Sequence, residues 1–413
     1  MLRSFLLTLL VGLIPFTAMG QFTDLTQMRP AGQGGIDMFE SPMADTTEFD
    51  GIEVKVGGAF AQQLQSITQS GPNVDNDAIG RGFNLATANL DLDAQVAEGI
   101  FLHVRTYLSS RHHNDAWVKG GYLQVDQLPM LGNPGFMDHI RIRAGHFMPN
   151  YGDTHFRRTD NADAIQNPFV GNYILDAFTT EVGAEASYRA NGFLLVGGFG
   201  GELDPTVKNP DERAPSFHGK VGIDRQISPM LRVRLTGSVY YTSSSNAAHL
   251  HSGDRAGSRY YNVIGDGDWS GRIRDDFGDQ VTAFMINPFV EIGGLELFGV
   301  VETTSGNRSG LDDGTLTHYG GQAVYRFLDD DLFAGVRYST VDGDLDHSGF
   351  REPASWSGGN SADRWQISAG WYMTENIQMK AEYVTQSYEG FPADNARNDA
   401  EFDGLVIEGV VSF

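Results

Sequence analysis

Apolar and polar side chains alternate with a period of two residues from Gly51 to the end of the chain. At the start of this region Ile52, Val54 and Val56 alternate with polar residues, which places the large apolar groups on one face of an extended chain. The alternation predicts a β-strand, and similar stretches recur down the chain. They predict about 16 strands, at residues 52–60, 86–96, 100–109, 116–126, 140–147, 182–189, 192–200, 217–224, 231–241, 282–292, 295–303, 317–327, 332–340, 365–373, 377–388 and 405–413.

The connections between these predicted strands alternate between short and long. Short links cover residues 96–100, 190–191, 226–230, 293–294, 328–331 and 374–376, and long ones cover 66–81, 148–178, 201–215, 243–280, 304–314, 341–363 and 389–401. Short turns at one end and long loops at the other are typical of a transmembrane β-barrel, in which every backbone polar group is paired without a long apolar helix. We therefore predict an all-β fold over residues 51–413, a transmembrane antiparallel up-and-down β-barrel with short periplasmic turns and long extracellular loops.

A soluble fold with as many strands, such as a four-bladed propeller or a pair of sandwiches, is the alternative. Propellers repeat a blade motif every 40 to 50 residues or so, and the sequence lacks such self-similarity. The last segment alternates apolar or small residues from Leu405 to Phe413, which suits the closing strand of a barrel better than an exposed sheet edge. The terminal Phe413 also resembles the signal that the outer-membrane barrel-assembly machinery recognises.

Residues 1–20 have the pattern of a signal peptide. A basic start precedes an apolar run over residues 4–16, and Ala18 and Gly20 are the small residues expected before a cut at Gln21. A retained signal anchor is the alternative, but the run is short for a span. The mature chain is therefore predicted to lie in the outer membrane of a Gram-negative-type bacterium.

Residues 21–50 show neither helical nor strand periodicity and contain Pro30, Pro42 and several glycines. They predict an arm on the periplasmic side. Because this arm is short for a plug, we expect any narrowing of the barrel to come from a loop.

Composition excludes several classes of function. The chain has 29 Lys and Arg against 53 Asp and Glu, a formal charge of −24, which argues against a nucleic-acid partner. It has no Cys, so disulfides, thiolate metal sites and cysteine nucleophiles are excluded. No cofactor or metal is predicted. No G-x-S-x-G motif is present either. An enzymatic barrel would need Ser, His and an acid together at the rim or the outer wall.

Strand parity assigns one set of side chains to lipid and the other to the lumen. The lumen set is charged on nearly every strand, because the inward positions include Arg105, Arg141, Arg143, Glu181, Glu185, Arg189, Arg232 and Arg234. The acids Asp91 and Asp93 also face inward, so opposite charges on adjacent strands are expected to pair. A barrel of this size leaves room for water, so a pore is predicted.

The third long loop, residues 148–178, is the expected constriction. It carries Arg157, Arg158, Asp160 and Asp163 among its charged residues. An ordinary surface loop is the alternative. If Arg141, Arg143, Arg157 and Arg158 lie close together, they would form an anion site.

The segment from Arg143 to Gly152, followed by a polar stretch and then Thr180 to Glu185, resembles the strand–loop–strand segment of the phosphate-selective porin O and P family. That resemblance implies a 16-stranded homotrimeric channel whose third loop lines a constriction. Phosphate-selective members use clusters of Arg and Lys, and here acids accompany the arginines, so the resemblance supports the architecture more than phosphate selectivity.

The sequence thus predicts an outer-membrane porin, without enzymatic activity, that passes small polar or ionic solutes by diffusion. One alternative is an anion- or phosphate-preferring channel. The other is a non-conducting surface barrel that binds a partner through its long loops.

Overall fold

The computed structural model describes residues 25–43, 49–74, 79–84, 86–109, 116–159, 163–201, 214–243, 250–251, 261–265, 269–275, 277, 280–307, 313–344 and 359–413. The predicted signal peptide, residues 1–20, lies outside these described residues.

Seventeen stretches of strand form one antiparallel sheet. They are β1 (Glu53–Ser70), β2 (Gly80–Phe83), β3 (Thr87–Ala97), β4 (Ile100–Ser109), β5 (Ala116–Val125), β6 (Ile140–Phe147), β7 (Glu181–Ala190), β8 (Phe193–Gly200), β9 (Ser216–Ser228), β10 (Leu231–Thr242), β11 (Val281–Ile292), β12 (Leu295–Gly306), β13 (Gly314–Phe327), β14 (Leu332–Gly343), β15 (Asn360–Thr374), β16 (Ile377–Glu389) and β17 (Glu401–Ser412). Short 3-10 helices cover Gln33–Gly35, Pro129–Leu131, Gly135–His139, Thr154–Arg157 and Asp163–Gln166. In the described part of the chain, no helix is long and apolar enough to cross a membrane.

The sheet closes into a barrel of 16 strands, because β2 and β3 are two parts of one interrupted strand. The C-terminal part of β1, Leu64 to Ile67, pairs with β2, and its N-terminal part, Glu53 to Ala61, pairs with β3. β17 pairs with β16 on one side and with β1 on the other, which closes the ring. The prediction of a 16-strand antiparallel up-and-down barrel is therefore confirmed. The first strand extends to Ser70, farther than predicted, because Gln63 and Gln65 continue its inward face.

The two faces of the wall differ as strand parity predicts. On β15, Trp365 and Ile367 are exposed outside the barrel, whereas Arg364 and Gln366 are buried inside it. Several turns between strands use glycine with positive φ. Gly99 between β3 and β4 has φ +64°, and Gly192 between β7 and β8 has φ +76°. Glycine adopts this conformation without the steric cost of a Cβ atom, so the chain can reverse within two or three residues.

Three segments lie inside the barrel. One is the described part of loop 3, residues 148–159 and 163–180, where loop 3 denotes residues 148–180. The second is the described part of the arm, residues 25–43. The third belongs to the connection between β10 and β11, where residues 261–277 include the buried Tyr261, Ile273 and Phe277. Ile273 donates its backbone N–H to the carbonyl of Ile174 in loop 3 at 2.9 Å. An apolar core thus fills the β11–β17 side of the interior.

Candidate functional site

Loop 3 is fixed to the inner wall by buried polar side chains. The Lys380 ammonium donates to the carbonyl oxygens of Ala164, Asn167 and Phe169 at 2.6, 2.7 and 2.9 Å. Glu382 accepts the backbone N–H of Val170 at 2.8 Å. These contacts replace the hydrogen bonds that the loop backbone would make to water, and so they allow it to pack against β16.

The arm also lies against lumen-facing side chains, whereas the sequence predicts that any narrowing of the barrel comes from a loop. Arg141 donates to the carbonyl oxygens of Ser41 and Pro42 at 3.1 and 2.6 Å. At the other end of the arm, Ser412 donates its hydroxyl to the carbonyl of Ala31 at 2.9 Å. The physical reason is that the arm's backbone and acids match inward arginines. Lack of periodicity therefore did not exclude an interior position.

Two arginines connect the arm, loop 3 and the wall. Arg234 on β10 contacts Glu40 of the arm at 2.7 Å and Asp153 of loop 3 at 2.9 Å. Arg157 of loop 3 pairs with Asp37 of the arm and lies 2.7 Å from Glu296 on β12. The arm and loop 3 therefore share the same buried cations, and a change in one is expected to alter the other.

The pKa values of the two arm acids shift in opposite directions. Burial raises the pKa of Asp37 to about 7, helped by the nearby Glu296 and opposed by Arg157. Burial alone would also raise the pKa of Glu40, but Arg234 and Lys220 lower it to about 2. Glu40 is therefore ionised at neutral pH, whereas Asp37 gains or loses its proton near pH 7.

The predicted cluster of Arg141, Arg143, Arg157 and Arg158 does not form a common anion site. Arg141 binds Asp126 through two hydrogen bonds of 2.7 Å. Arg158 binds Asp176 at 3.0 and 2.5 Å, and Arg157 is held by two carboxylates. Each of these three cations already has an acid of its own, so the expectation was wrong for them. Among the four, only Arg143 lacks such a partner.

Most of the other predicted site residues are paired with polar groups of the wall, loop 3 or the arm. Their partners are Asp91 and Asp163 for Arg105, Tyr240 and Ser216 for Glu181, His218 for Glu185, and Asp224 for Arg232. Arg189 donates to the carbonyl of Ser41 at 2.7 Å. Asp160 lies outside the described residues. Phe413 exchanges two backbone hydrogen bonds of 2.9 Å with Gly58 on β1.

The space left inside the barrel is a cavity along β1 and β3–β6, opposite the apolar core. Its lining extends from Lys55, near the start of β1, and Phe413, just after β17, to Phe147 and Thr180, where loop 3 leaves and rejoins the wall. The arm and loop 3 form the other side of the cavity. The lining therefore combines all three parts of the molecule.

The charges along this cavity do not cancel. The four Asp and Glu side chains in its described lining all have partners, because Arg105 binds Asp91 and Asp163, His103 lies 2.6 Å from Asp93, and Glu40 contacts Arg234. Two lining arginines, Arg29 and Arg143, have no carboxylate oxygen within 4 Å among the described residues. The cavity is therefore positively biased although the whole chain carries a charge of −24.

One Ser–His–acid array does occur in the interior. His318 Nε2 lies 3.0 Å from Ser339 Oγ, and its Nδ1 lies 3.6 Å from Glu302. All three side chains are fully buried, and the ring of Tyr173 packs against His318. This position is neither the rim nor the outer wall, and a substrate has no access to the serine. In the described residues, no group of His, Asp and Glu is arranged to hold a metal ion.

Sequence reasoning missed several residues of the site. Lys220 and Glu296 alternate with outward apolar residues, so strand parity could have identified them. Asp37, Glu40 and Arg29 lie in the arm, where no periodicity indicates direction. Their roles depend on partners far away in sequence.

Comparison with known proteins supports the fold. No protein-family model matches the sequence, and no curated protein matches it. Solved structures with the same fold include an anion-selective porin from Comamonas acidovorans, with 12% identity, coverage of 88% of this chain and 100% of that one, and a TM-score of 0.54. OprB of Pseudomonas putida has 9% identity, 88% and 94% coverage, and a TM-score of 0.55. OmpT, an outer membrane protein of Vibrio cholerae in a trimer form, has 14% identity, 88% and 100% coverage, and a TM-score of 0.52.

Proposed function

We propose that this chain is an outer-membrane porin through which small hydrophilic solutes diffuse. The observation that carries the proposal is the cavity that runs along β1 and β3–β6 inside a closed 16-strand wall, lined by ionisable side chains. A barrel of this size leaves room for water, and side-chain charge along the path would then set the ion preference.

The outer face of the wall supports a membrane location. Large apolar side chains such as Phe284, Ile286, Trp371 and Leu405 are exposed on it at alternate strand positions. In water this surface would be a large apolar patch, whereas lipid covers it without cost. We infer residence in a Gram-negative-type outer membrane after signal-peptide removal, with Phe413 as the assembly signal. Trimerisation is supported by the trimer form of the fold-sharing OmpT.

We infer that the constriction has two parts. Residues 148–178 supply one side through His155, Arg158 and Asp163, and the arm supplies another through Met28 and Arg29. The two segments are joined by the contact of Arg29 with Gln166 at 3.3 Å. A solute would therefore pass between this double layer and the wall strands β3–β6.

Anion preference is the second candidate, and one observation favours it. Among the described residues, Arg29 and Arg143 line the path without a carboxylate within 4 Å, whereas each lining Asp and Glu side chain is paired. The porin from Comamonas acidovorans, which shares the fold, is anion-selective. Selectivity for phosphate rests on the sequence resemblance alone. It has little other support, because Arg141, Arg157 and Arg158 are engaged with acids.

No covalent chemistry is included in this proposal. The rival function is a non-conducting surface barrel that binds a partner through its loops. The experiment is single-channel recording of the refolded chain in a planar bilayer under a salt gradient. Ohmic steps whose reversal potential has the sign expected of an anion-selective channel would support the anion-preferring porin. Ohmic steps with a cation-selective potential would support a porin and reject anion preference. Silence from protein shown to be folded would favour the non-conducting barrel.

A further inference from the structure

Arg143 on β6 has binding capacity that the protein leaves unused. Its Nε donates to the Gln124 side-chain oxygen at 3.0 Å, and no described group accepts a hydrogen bond from its two terminal nitrogens. These nitrogens belong to a half-buried side chain that lines the cavity. A guanidinium presents its donors in a planar fork that matches a carboxylate.

The surroundings of Arg143 are aromatic. Its guanidinium lies 5.3 Å from the centre of the Tyr122 ring. Tyr122 in turn packs edge-on against Phe147, with ring centres 6.4 Å apart, and against His103 at 5.0 Å. Phe178, whose ring is buried under the Arg158 guanidinium at 4.0 Å, also belongs to the cavity lining. An anion that reaches Arg143 therefore meets ring faces and edges on several sides.

These surroundings do not suit a strongly hydrated, doubly charged anion. Such an ion needs several donors to replace its water, and the nearby Arg141 and Arg158 already serve Asp126 and Asp176. An anion with an apolar body loses less free energy when it leaves water, because its body gains contact area on the rings. Its carboxylate can bind the two terminal nitrogens of Arg143.

We propose that the cavity contains a binding site for small organic acids with a planar or apolar body, with the carboxylate on Arg143 and the body against Tyr122. The proposal rests on the proposed porin function and specifies its substrate class. Arg29, across the cavity in the arm, offers a second cation along the same path.

The test measures how sodium benzoate, sodium acetate and sodium phosphate interrupt the chloride current of single channels. In the wild type, benzoate is expected to block at a concentration about tenfold lower than acetate or phosphate. Arg143→Gln should weaken block by benzoate and acetate about tenfold or more. Tyr122→Leu should weaken block by benzoate but leave acetate unchanged, because only the ring contact is lost.

Arg225→Gln is the control. It makes the same change of charge at an exposed arginine on β9, and Arg225 is not among the described residues that line the cavity. Its block by benzoate should equal that of the wild type. Strongest block by phosphate, equal block by benzoate and acetate, or equal effects of Arg143→Gln and Arg225→Gln would overturn the proposal. Failure of the porin function itself differs from these outcomes, since the chloride current would then be absent.

Discussion

The carboxylate of Glu40 lies 2.7 and 3.0 Å from the two terminal nitrogens of Arg234, which joins the arm to the inner face of β10. The same guanidinium binds Asp153 of loop 3 through two hydrogen bonds of 2.9 Å. Arg234 therefore holds both segments that line the cavity opposite the wall. Removal of either acid leaves a buried cation with less compensation, which is costly in a low-dielectric interior.

Glu40→Gln is expected to weaken docking of the arm by about 2–5 kcal/mol, the usual cost of breaking a buried hydrogen-bonded charge pair. The measurement is the rate of chymotrypsin cleavage after Phe39, which is buried in the docked arm. Glu375→Gln is the control, because it makes the same change in charge on an exposed side chain whose backbone carbonyl accepts the N–H of Gln33 in the arm. Equal cleavage rates in the two variants would contradict the prediction.

A disulfide between the arm and β17 should reverse the effect of Glu40→Gln on conductance. The chain has no cysteine, and the Ser412 hydroxyl donates to the carbonyl of Ala31 at 2.9 Å, so Ala31→Cys with Ser412→Cys introduces thiols on two residues that are in contact. We expect larger conductance steps in Glu40→Gln, because the undocked arm widens the path. Oxidation of the cysteine pair in that background should restore conductance steps of wild-type size. Addition of a reductant should return the larger steps. Conductance steps of equal size under oxidising and reducing conditions would show that the arm does not limit the current.

Docking of the arm should depend on pH through Asp37. Its pKa is about 7 in the docked arm and close to 3.8 in water. The docked arm therefore binds this proton more tightly. The contribution of Asp37 is fully present below about pH 4 and is lost as the pH rises towards 7.

The measurement is chymotrypsin cleavage after Phe39 between pH 6 and 8, in the wild type and in Asp37→Asn, each corrected for the protease's own pH dependence on an unfolded substrate. Protection in the wild type should fall across this range relative to Asp37→Asn, whose amide cannot ionise. Comparison with Asp37→Asn cancels the contributions of other groups such as Glu40, whose pKa of about 2 lies far below this range. Parallel pH profiles for the two proteins would count against a raised pKa at Asp37.

The barrel could be predicted from sequence because each wall residue has a lipid side and a lumen side, and strand parity alone separates them. Strand parity places Glu181, Glu185 and Arg234 inward, and all three are buried. The two-residue period of a strand can be recognised in its own sequence, without knowing which strands pair with it. The wall is therefore encoded locally.

The interior layer could not be predicted in the same way. Glu40 meets Arg234, and Asp37 meets Arg157, across long stretches of sequence, and neither acid lies in a periodic segment. Likewise the apolar residues at 261–277 gave no regular pattern, yet Ile273 and Phe277 pack in the barrel core. Contacts between irregular segments depend on the closed wall that surrounds them, so the sequence alone did not indicate that the arm and residues 261–277 also occupy the interior.

A charge on the outer wall should destabilise the barrel according to depth. Ile367 in the middle of β15 is 60% exposed, and Ile367→Lys is expected to cost about 2–4 kcal/mol in lipid. Ile52 precedes β1 at one end of the barrel and is 70% exposed, so Ile52→Lys should cost about 0–1 kcal/mol. Urea unfolding in lipid vesicles measures both. Similar losses at the two positions would contradict the assignment of the outer face to lipid.

The docking of loop 3 on the inner wall should depend on Lys380 more than on any hydrogen bond within the loop itself. Lys380 serves three loop carbonyls and lies 3.1 Å from Glu408, which is itself buried. Lys380→Met leaves those acceptors and the carboxylate without a cation, at a cost of about 3–5 kcal/mol. We expect loop 3 to detach, and chymotrypsin cleavage after the buried Phe169 to accelerate. Lys55→Met, at a half-buried lysine elsewhere in the cavity, should not accelerate it.

The double variant Lys380→Met with Glu408→Gln separates the two parts of this cost. If the uncompensated carboxylate dominates, its neutralisation should recover part of the protection at Phe169, although the three carbonyls stay unpaired. If the lost carbonyl contacts dominate, the double variant should cleave as fast as Lys380→Met. Cleavage of Lys380→Met at the wild-type rate would contradict both cases, because it would mean that loop 3 keeps its place without the ammonium that contacts its backbone.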